Sequence, residues 1–261
     1  MSNIDLTGKV GLVTGGGTGI GRAVALALGR AGASVVVSGR RADPLEETVA
    51  LLTASGIDAT SVAGDVAQEA DVEAMVGRAL EAFGRLDIAC NNAGIEGVMA
   101  PIHDLSAEAF DATIAVNLRG CFLSMKHEVP AMLAGGGGAI VNVSSVNAVM
   151  ASAEAAAYSA SKAGVESLTA TAALELATRG VRVNALRAGA FITPMHERLL
   201  EAMGEDRQAS IEDYEGLSPM ARRGEPAEAA EAALWLCSDA ASYVTGTCLS
   251  VDGGIQAGFI D

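Results

Sequence analysis

Short apolar runs rich in β-branched residues alternate along this chain with longer, Ala-rich segments, and that alternation restricts the fold more than any other feature. Val10–Thr14, Ser34–Ser38, Ile57–Ala63, Leu86–Cys90, Ala139–Ser144, Val181–Leu186 and Cys248–Val251 read as strands. Most are apolar throughout rather than alternating, which suits parallel strands covered on both faces. Ile20–Ala31, Pro44–Ser55, Asp71–Phe83, Ala109–Leu133 and Ala156–Arg179 read as helices. Strand and helix in strict succession predict an α/β fold, a Rossmann-type doubly wound parallel sheet with helices on both faces. Residues 1–261 are expected to form one domain, since no repeat, low-complexity linker or shift in composition divides them.

Two segments interrupt the rhythm. Gly135–Gly138 reads as a tight helix-to-strand connection in which positive φ is allowed. The stretch 188–224 is longer, with Pro194, Pro219, several methionines and mixed charge, and is expected to be a substrate-binding loop or lid.

Charge and cysteine usage exclude whole classes of partner. Lys and Arg total 17 against 32 Asp and Glu, a formal charge of −15, which argues against nucleic acid and against an anionic membrane surface. No apolar run approaches the length of a membrane helix. Cys90, Cys121, Cys237 and Cys248 are scattered with no CxxC pair, and the three histidines lack ligand spacing, so no metal site is expected. Reduced thiols, together with an N-terminus that has neither a basic nor an apolar signal region, lead to the expectation of a cytoplasmic protein.

The first strand runs directly into Thr14-Gly15-Gly16-Gly17-Thr18-Gly19-Ile20-Gly21 and then a helix. Glycines at 15, 19 and 21 let the backbone turn sharply and approach a pyrophosphate, and the helix start offers unpaired N–H groups with partial positive charge. An acidic protein can hold phosphates in this way. About twenty residues on, NAD sites of this kind place an acid that binds ribose hydroxyls. This chain has Ser38-Gly39-Arg40-Arg41 there. A guanidinium suits a 2′-phosphate, so NADP(H) is favoured over NAD(H); the competing reading is a pair of solvated arginines at a strand end.

Tyr158-Ser159-Ala160-Ser161-Lys162 puts a phenol and an ammonium on one helix face at i, i+4. A phenol titrating near 10 must drop about three units to exchange protons near neutrality, roughly 4 kcal/mol of preferential phenolate stabilisation. A neighbouring ammonium in a partly dry site works on that scale. Ser145 closes the fifth strand, where a doubly wound sheet presents its ligands, and Asn91-Asn92-Ala93-Gly94 closes the fourth.

Taken in order, these motifs resemble the short-chain dehydrogenase/reductase family over nearly the whole chain, from Thr14 to Gly254. They are TGxxxGxG at Thr14–Gly21, Asp65-Val66, NNAG at Asn91–Gly94, Asn117, Ser145, YxxxK at Tyr158–Lys162, and Val251-Asp252-Gly253-Gly254. The resemblance implies direct hydride transfer between a nicotinamide and a secondary alcohol or ketone. Tyr158 would be the general acid/base, and Lys162 would lower its pKa and hold ribose hydroxyls. Ser145 would orient the substrate oxygen, and Asn117 would hold a water in a proton relay. Cofactor contacts are implied for Gly15, Thr18, Gly19, Ile20 and Gly21, for Arg40 and Arg41, and for Asp65 and Val66 at the adenine. They are implied too for Asn91, Ala93 and Gly94 near the ribose, and for Gly189, Ile192 and Thr193 near the carboxamide.

The family usually has Pro-Gly after the sixth strand, where this chain has Ala188-Gly189, a loss of pre-organisation rather than of a chemical group. Arg187 either reaches the cleft or pairs with a carboxylate. Glu96, Met99, Glu154 and His196 fall in segments that often line the substrate pocket in this family. A homotetramer is implied through the long helices Ala109–Leu133 and Ala156–Arg179. The competing functional class is a cofactor-binding sensor or scaffold that has lost catalysis, against which the intact Asn117, Ser145, Tyr158 and Lys162 count.

Overall fold

Seven parallel strands make one sheet in the order β3-β2-β1-β4-β5-β6-β7. The computed structural model describes residues 4–202, 211–212 and 215–258. The strands are β1 Val10–Thr14, β2 Ser34–Gly39, β3 Ala59–Ala63, β4 Ile88–Asn91, β5 Gly138–Ser145, β6 Val181–Ala188 and β7 Cys248–Val251. The chain winds outward from β1 to β3, then returns to lay β4 against the other side of β1. That reversal opens a crevice at the carboxyl ends of β1 and β4, the place where such sheets hold ligands.

Burial on both faces explains the uniformly apolar strands. Val13, Val35, Val37, Ile88 and Cys90 face a core layer shared with α1 (Gly19–Arg30), α2 (Ala42–Thr53) and α8 (Pro226–Cys237). Their neighbours Val10, Leu12, Val36 and Ala89 face the opposite layer, with α3 (Glu69–Phe83), α5 (Gly120–Ala134) and α6 (Ala156–Leu176). Successive side chains point to opposite faces, so each face needs its own apolar set.

Three local results refine the expectations. The run expected as one helix, Ala109–Leu133, is α4 (Ala107–Ile114), a π-helical turn at Ala115–Arg119, and then α5. Such turns recur at functional sites, and this one carries Asn117. Helix α8 had no sequence-based assignment, although Pro226 opens it and the Glu228 carboxylate accepts the Glu225 N–H at 2.8 Å, both start signals. The four-glycine connection behaves as expected: Gly137 has φ +132°, and a Cβ there would lie 2.4 Å from the Gly180 carbonyl oxygen. After β6, α7 (Pro194–Ala202) begins the 188–224 stretch, whose far end returns to pair Gly224 with Phe191.

Candidate active site

The crevice is built first from backbone. Thr18 precedes α1 in extended conformation without capping its amides, and the first turn holds no acidic side chain, so the helix start keeps free donors and its positive end. Gly15 has φ +65° and a Cβ there would sit 2.7 Å from Asn92 Nδ2; one on Gly21 would sit 2.3 Å from the Gly15 oxygen. Asn92 locks this packing by donating from Nδ2 to the carbonyls of Thr14 (3.0 Å) and Gly15 (3.2 Å). The Thr14 hydroxyl accepts the Asn92 and Ala93 amides, each at 3.1 Å. The NNAG turn and the glycine loop are therefore one unit. Within the NNAG motif nothing singles out Asn92, because its closeness to Gly21 is purely tertiary.

The end of the crevice beside β2 and β3 is more open. Arg40 and Arg41 leave β2 exposed, and neither has a hydrogen-bond or ion-pair partner among the described residues. Beyond β3, the Asp65 carboxylate accepts the Ala67 amide (3.0 Å), and its own amide donates to Asp71 (2.8 Å). Val66 is buried against Gly120, where a Cβ would meet Val66 Cγ2 at 2.8 Å.

At the other end stand the chemical groups. Lys162 is 5% exposed, donates from Nζ to the Val143 carbonyl (2.8 Å) and lies 5.7 Å from the Tyr158 ring centroid. Burial pulls this ammonium down to about 8, with Cys121 opposing. Burial pushes the half-buried Tyr158 phenol above its ordinary value; the Ser145 hydroxyl pulls it back, and the Glu96 carboxylate adds to the rise. Ser145 ends β5 and accepts the Asn147 amide at 3.2 Å. Asn117 is buried, donates to the Ile95 carbonyl (2.8 Å) and Ser161 Oγ (3.1 Å), and accepts the Ile95 amide (2.8 Å). A Cβ on Gly94 would lie 3.3 Å from Asn117 Oδ1 and 3.6 Å from Lys162 Nζ, so these three meet. The Asn117 side chain is thus committed to backbone and Ser161.

The β6–α7 loop closes over the glycine loop: a Cβ on Gly19 would lie 3.3 Å from Thr193 Cγ2. Gly189 donates to the Val251 carbonyl (3.0 Å) and Ile192 to that of Gly224 (2.9 Å), so tertiary bonds hold the turn that lacks proline. A buried dinucleotide fits this frame, because the donors, the glycine cradle and the strand ends converge on one groove.

Some expected residues face elsewhere. The Asn91 side chain turns into the interior, donating at 3.0 Å both to Glu128 and to Asn142 rather than facing the crevice. Arg187 pairs with Glu166. Glu96 is half-buried, and burial raises its carboxyl while Arg198 opposes the rise. Met99 and Glu154 are exposed; His196 is buried.

A family model described as enoyl-(acyl carrier protein) reductase matches residues 15–256. A 2,5-dichloro-2,5-cyclohexadiene-1,4-diol dehydrogenase of Sphingobium indicum is 44% identical over 255 residues, covering 97% of this chain and 99% of its own. Cyclohexanol dehydrogenase of an Acinetobacter species is 40% identical over 253 residues, covering 97% and 96%. The crystal structure of levodione reductase superposes with a TM-score of 0.94 at 38% identity, covering 97% of this chain and 99% of that one. With its crevice, tyrosine–lysine pair and end-to-end similarity to these proteins, the chain belongs to the short-chain dehydrogenase/reductase family of oxidoreductases.

Proposed function

We propose that this protein interconverts a secondary alcohol and a ketone, with NADP(H) as preferred cofactor. The observation that carries this reading is the convergence of Ser145, Tyr158 and Lys162 beside the glycine loop. When bound, the nicotinamide supplies or accepts the hydride. In reduction the Tyr158 hydroxyl gives its proton to the carbonyl oxygen while Ser145 hydrogen-bonds the same atom; in oxidation Tyr158 takes that proton back. Without a ligand the phenol is shifted the wrong way for a base, by burial. The Lys162 ammonium, 5.7 Å from the ring centroid, favours the charged form against that burial. An oxidised nicotinamide held beside Lys162 would add a second positive charge favouring the phenolate.

Lys162 and the ends of β4 and β5 would hold the ribose, and Asn117, its side chain committed to Ile95 and Ser161, would offer its backbone to a relay water. The glycine loop at Gly15, Thr18, Gly19, Ile20 and Gly21 would take the pyrophosphate. Asp65 and Val66 would flank the adenine, Ala93 and Gly94 the ribose, and Gly189, Ile192 and Thr193 the carboxamide. For Asn91 we assign the backbone turn alone. Arg40 and Arg41, without a partner among the described residues of an acidic protein, support a 2′-phosphate.

We assign the described parts of 188–224, residues 188–202, 211–212 and 215–224, to a substrate-binding lid within a single domain; 203–210 and 213–214 lie outside the described residues. The relatives named for cyclic alcohols and diols, and the exposed Val98, Met99, Ile102 and Val149, support an uncharged cyclic alcohol or ketone as substrate. Exposed Phe122 on α5 and Leu174 on α6 support a homotetramer, and four free thiols support a cytoplasmic location. The test is a panel of cyclic alcohols and ketones read by NAD(P)H absorbance with both cofactors. Tyr158→Phe should lower turnover by at least about a thousandfold, with cofactor affinity within about twofold. Equal activity in that variant would sink the mechanism.

A further inference from the structure

One turn beyond Lys162 on α6, Glu166 accepts three bonds from two other elements, β5 and β6. It accepts Ser144 Oγ at 2.9 Å, Arg187 Nε at 2.7 Å and Arg187 Nη2 at 2.5 Å. Ser144 Oγ also lies 3.3 Å from the Lys162 carbonyl. On its far side Arg187 donates to Gln256 Oε1 (2.7 Å), which also accepts Ser250 Oγ (3.2 Å). One carboxylate thus ties α6 to the ends of β5 and β6 and to the turn that follows β7.

The register makes this tie local to the chemistry. Ser144 pairs with Arg187 and Ser145 with Ala188, so the ion pair sits one step behind Ser145 and two before Gly189. The side chains are only 13% and 14% exposed, so water screens the fork weakly and its geometry is stiff. Tyr158 reaches the site from α6 and Ser145 from β5, where its hydroxyl hydrogen-bonds the phenol, and behind that contact the bonds of Ser144 and Lys162 hold α6 to the last residues of β5.

We propose that the Glu166–Arg187 pair is a positioning device that sets the separation of Ser145 and Tyr158, and so controls the chemical step without touching substrate. Its kinetic arm rests on the alcohol–ketone reading above. Removing one partner leaves an uncompensated half-buried charge, so two variants are compared: Glu166→Gln, and the double Glu166→Met, Arg187→Met, which leaves none.

Steady-state kinetics and backbone amide exchange across Ser145–Ala148 are measured on the full chain. In both variants kcat should fall about tenfold with cofactor KM within about twofold, since small misplacements of reacting groups are expensive. The apparent pKa in the kcat/KM profile should move upward, because the Ser145 hydroxyl that pulls the phenol down is less well placed. Exchange at 145–148 should accelerate about tenfold. Lower thermal stability with unchanged kcat and pH profile marks a purely structural pair and overturns the proposal, as does unchanged exchange. If wild type turns over no alcohol or ketone, the functional reading fails instead, and the exchange result alone decides the positioning claim.

Discussion

Glu128 lies 0% exposed beneath the crevice, where Asn91 Nδ2 donates to one of its oxygens. Its other oxygen, like Asn91 Oδ1, has no partner among the described residues. Burial raises this carboxyl to about 7, against the opposing Asn91 bond, and the adjoining Cys90 and Cys121 thiols are raised too and stay neutral in that range. A folded value above the ordinary 4.5 means the native state binds the proton more tightly. Its stabilisation is complete below about 4.5 and is lost as pH rises through about 7. Glu128→Gln should therefore remove a fall in unfolding free energy between those pH values, at most about 3 kcal/mol, and be more stable than wild type above pH 7. Denaturant unfolding at a series of pH values checks this; parallel wild-type and variant curves would refute it. At the adenosine end, Arg40→Asp should shift the NADP/NAD ratio of kcat/KM toward NAD by about tenfold or more, a charge-assisted contact being worth roughly 1.5–3 kcal/mol. An unmoved ratio shows that Arg40 does not read the phosphate. The meeting of Tyr158 and Lys162 on α6 with Ser145 at the end of β5 was legible because spacing and strand position carry it. The direction of Asn91 was not, because only the packing of α5 against β4 supplies Glu128 as its partner.

Among the elements, the glycine loop shows the clearest division of labour. Glycines at 15 and 21 were read as room for a pyrophosphate, yet the atoms a Cβ would strike belong to the protein: Asn92 at 2.7 Å and the Gly15 carbonyl at 2.3 Å. The glycines let the loop and the NNAG turn interlock, and the interlocked pair forms the cradle. Gly21→Ala forces backbone against backbone, so it should weaken cofactor binding by at least about tenfold and lower stability by about 1–3 kcal/mol. Fluorescence titration with NADPH and thermal unfolding read both effects, and wild-type affinity would contradict the interlock. The helix read as Ala109–Leu133 illustrates the opposite case. Apolar periodicity gives a helix of the right extent, but one extra residue in a π turn leaves no periodic mark, and it is that turn that directs Asn117 toward Ile95 and Ser161. Helix α8 was overlooked although its Pro226 and the Glu225–Glu228 pair are start signals, because its Ala-rich interior lacks polar contrast when buried on most sides.

For the molecule as a whole, a charge of −15 sets a background of self-repulsion. Raising salt from about 0.05 to 0.5 M shortens the screening length from roughly 14 to 4 Å, which should raise the apo Tm by a few degrees. A Tm that falls with salt would show that the surface ion pairs, such as Arg30–Glu231 and Arg222–Glu228, outweigh the repulsion. At the proposed site, cofactor binding would escape that background because the positive groups are local and little opposed: the α1 start, Arg40 with Arg41, and Lys162. The amino-acid sequence alone determined the doubly wound sheet, the cofactor loop and the tyrosine–lysine pair, because these depend on periodicity, spacing and strand order, which are local properties of a chain. Only the tertiary structure decided that Asn92 belongs to the cradle, that Asn91 faces Glu128, and that Glu166 joins Arg187 behind the site. Those contacts join residues far apart in the chain, and nothing short of the packed sheet sets which side chains come within a hydrogen bond of each other.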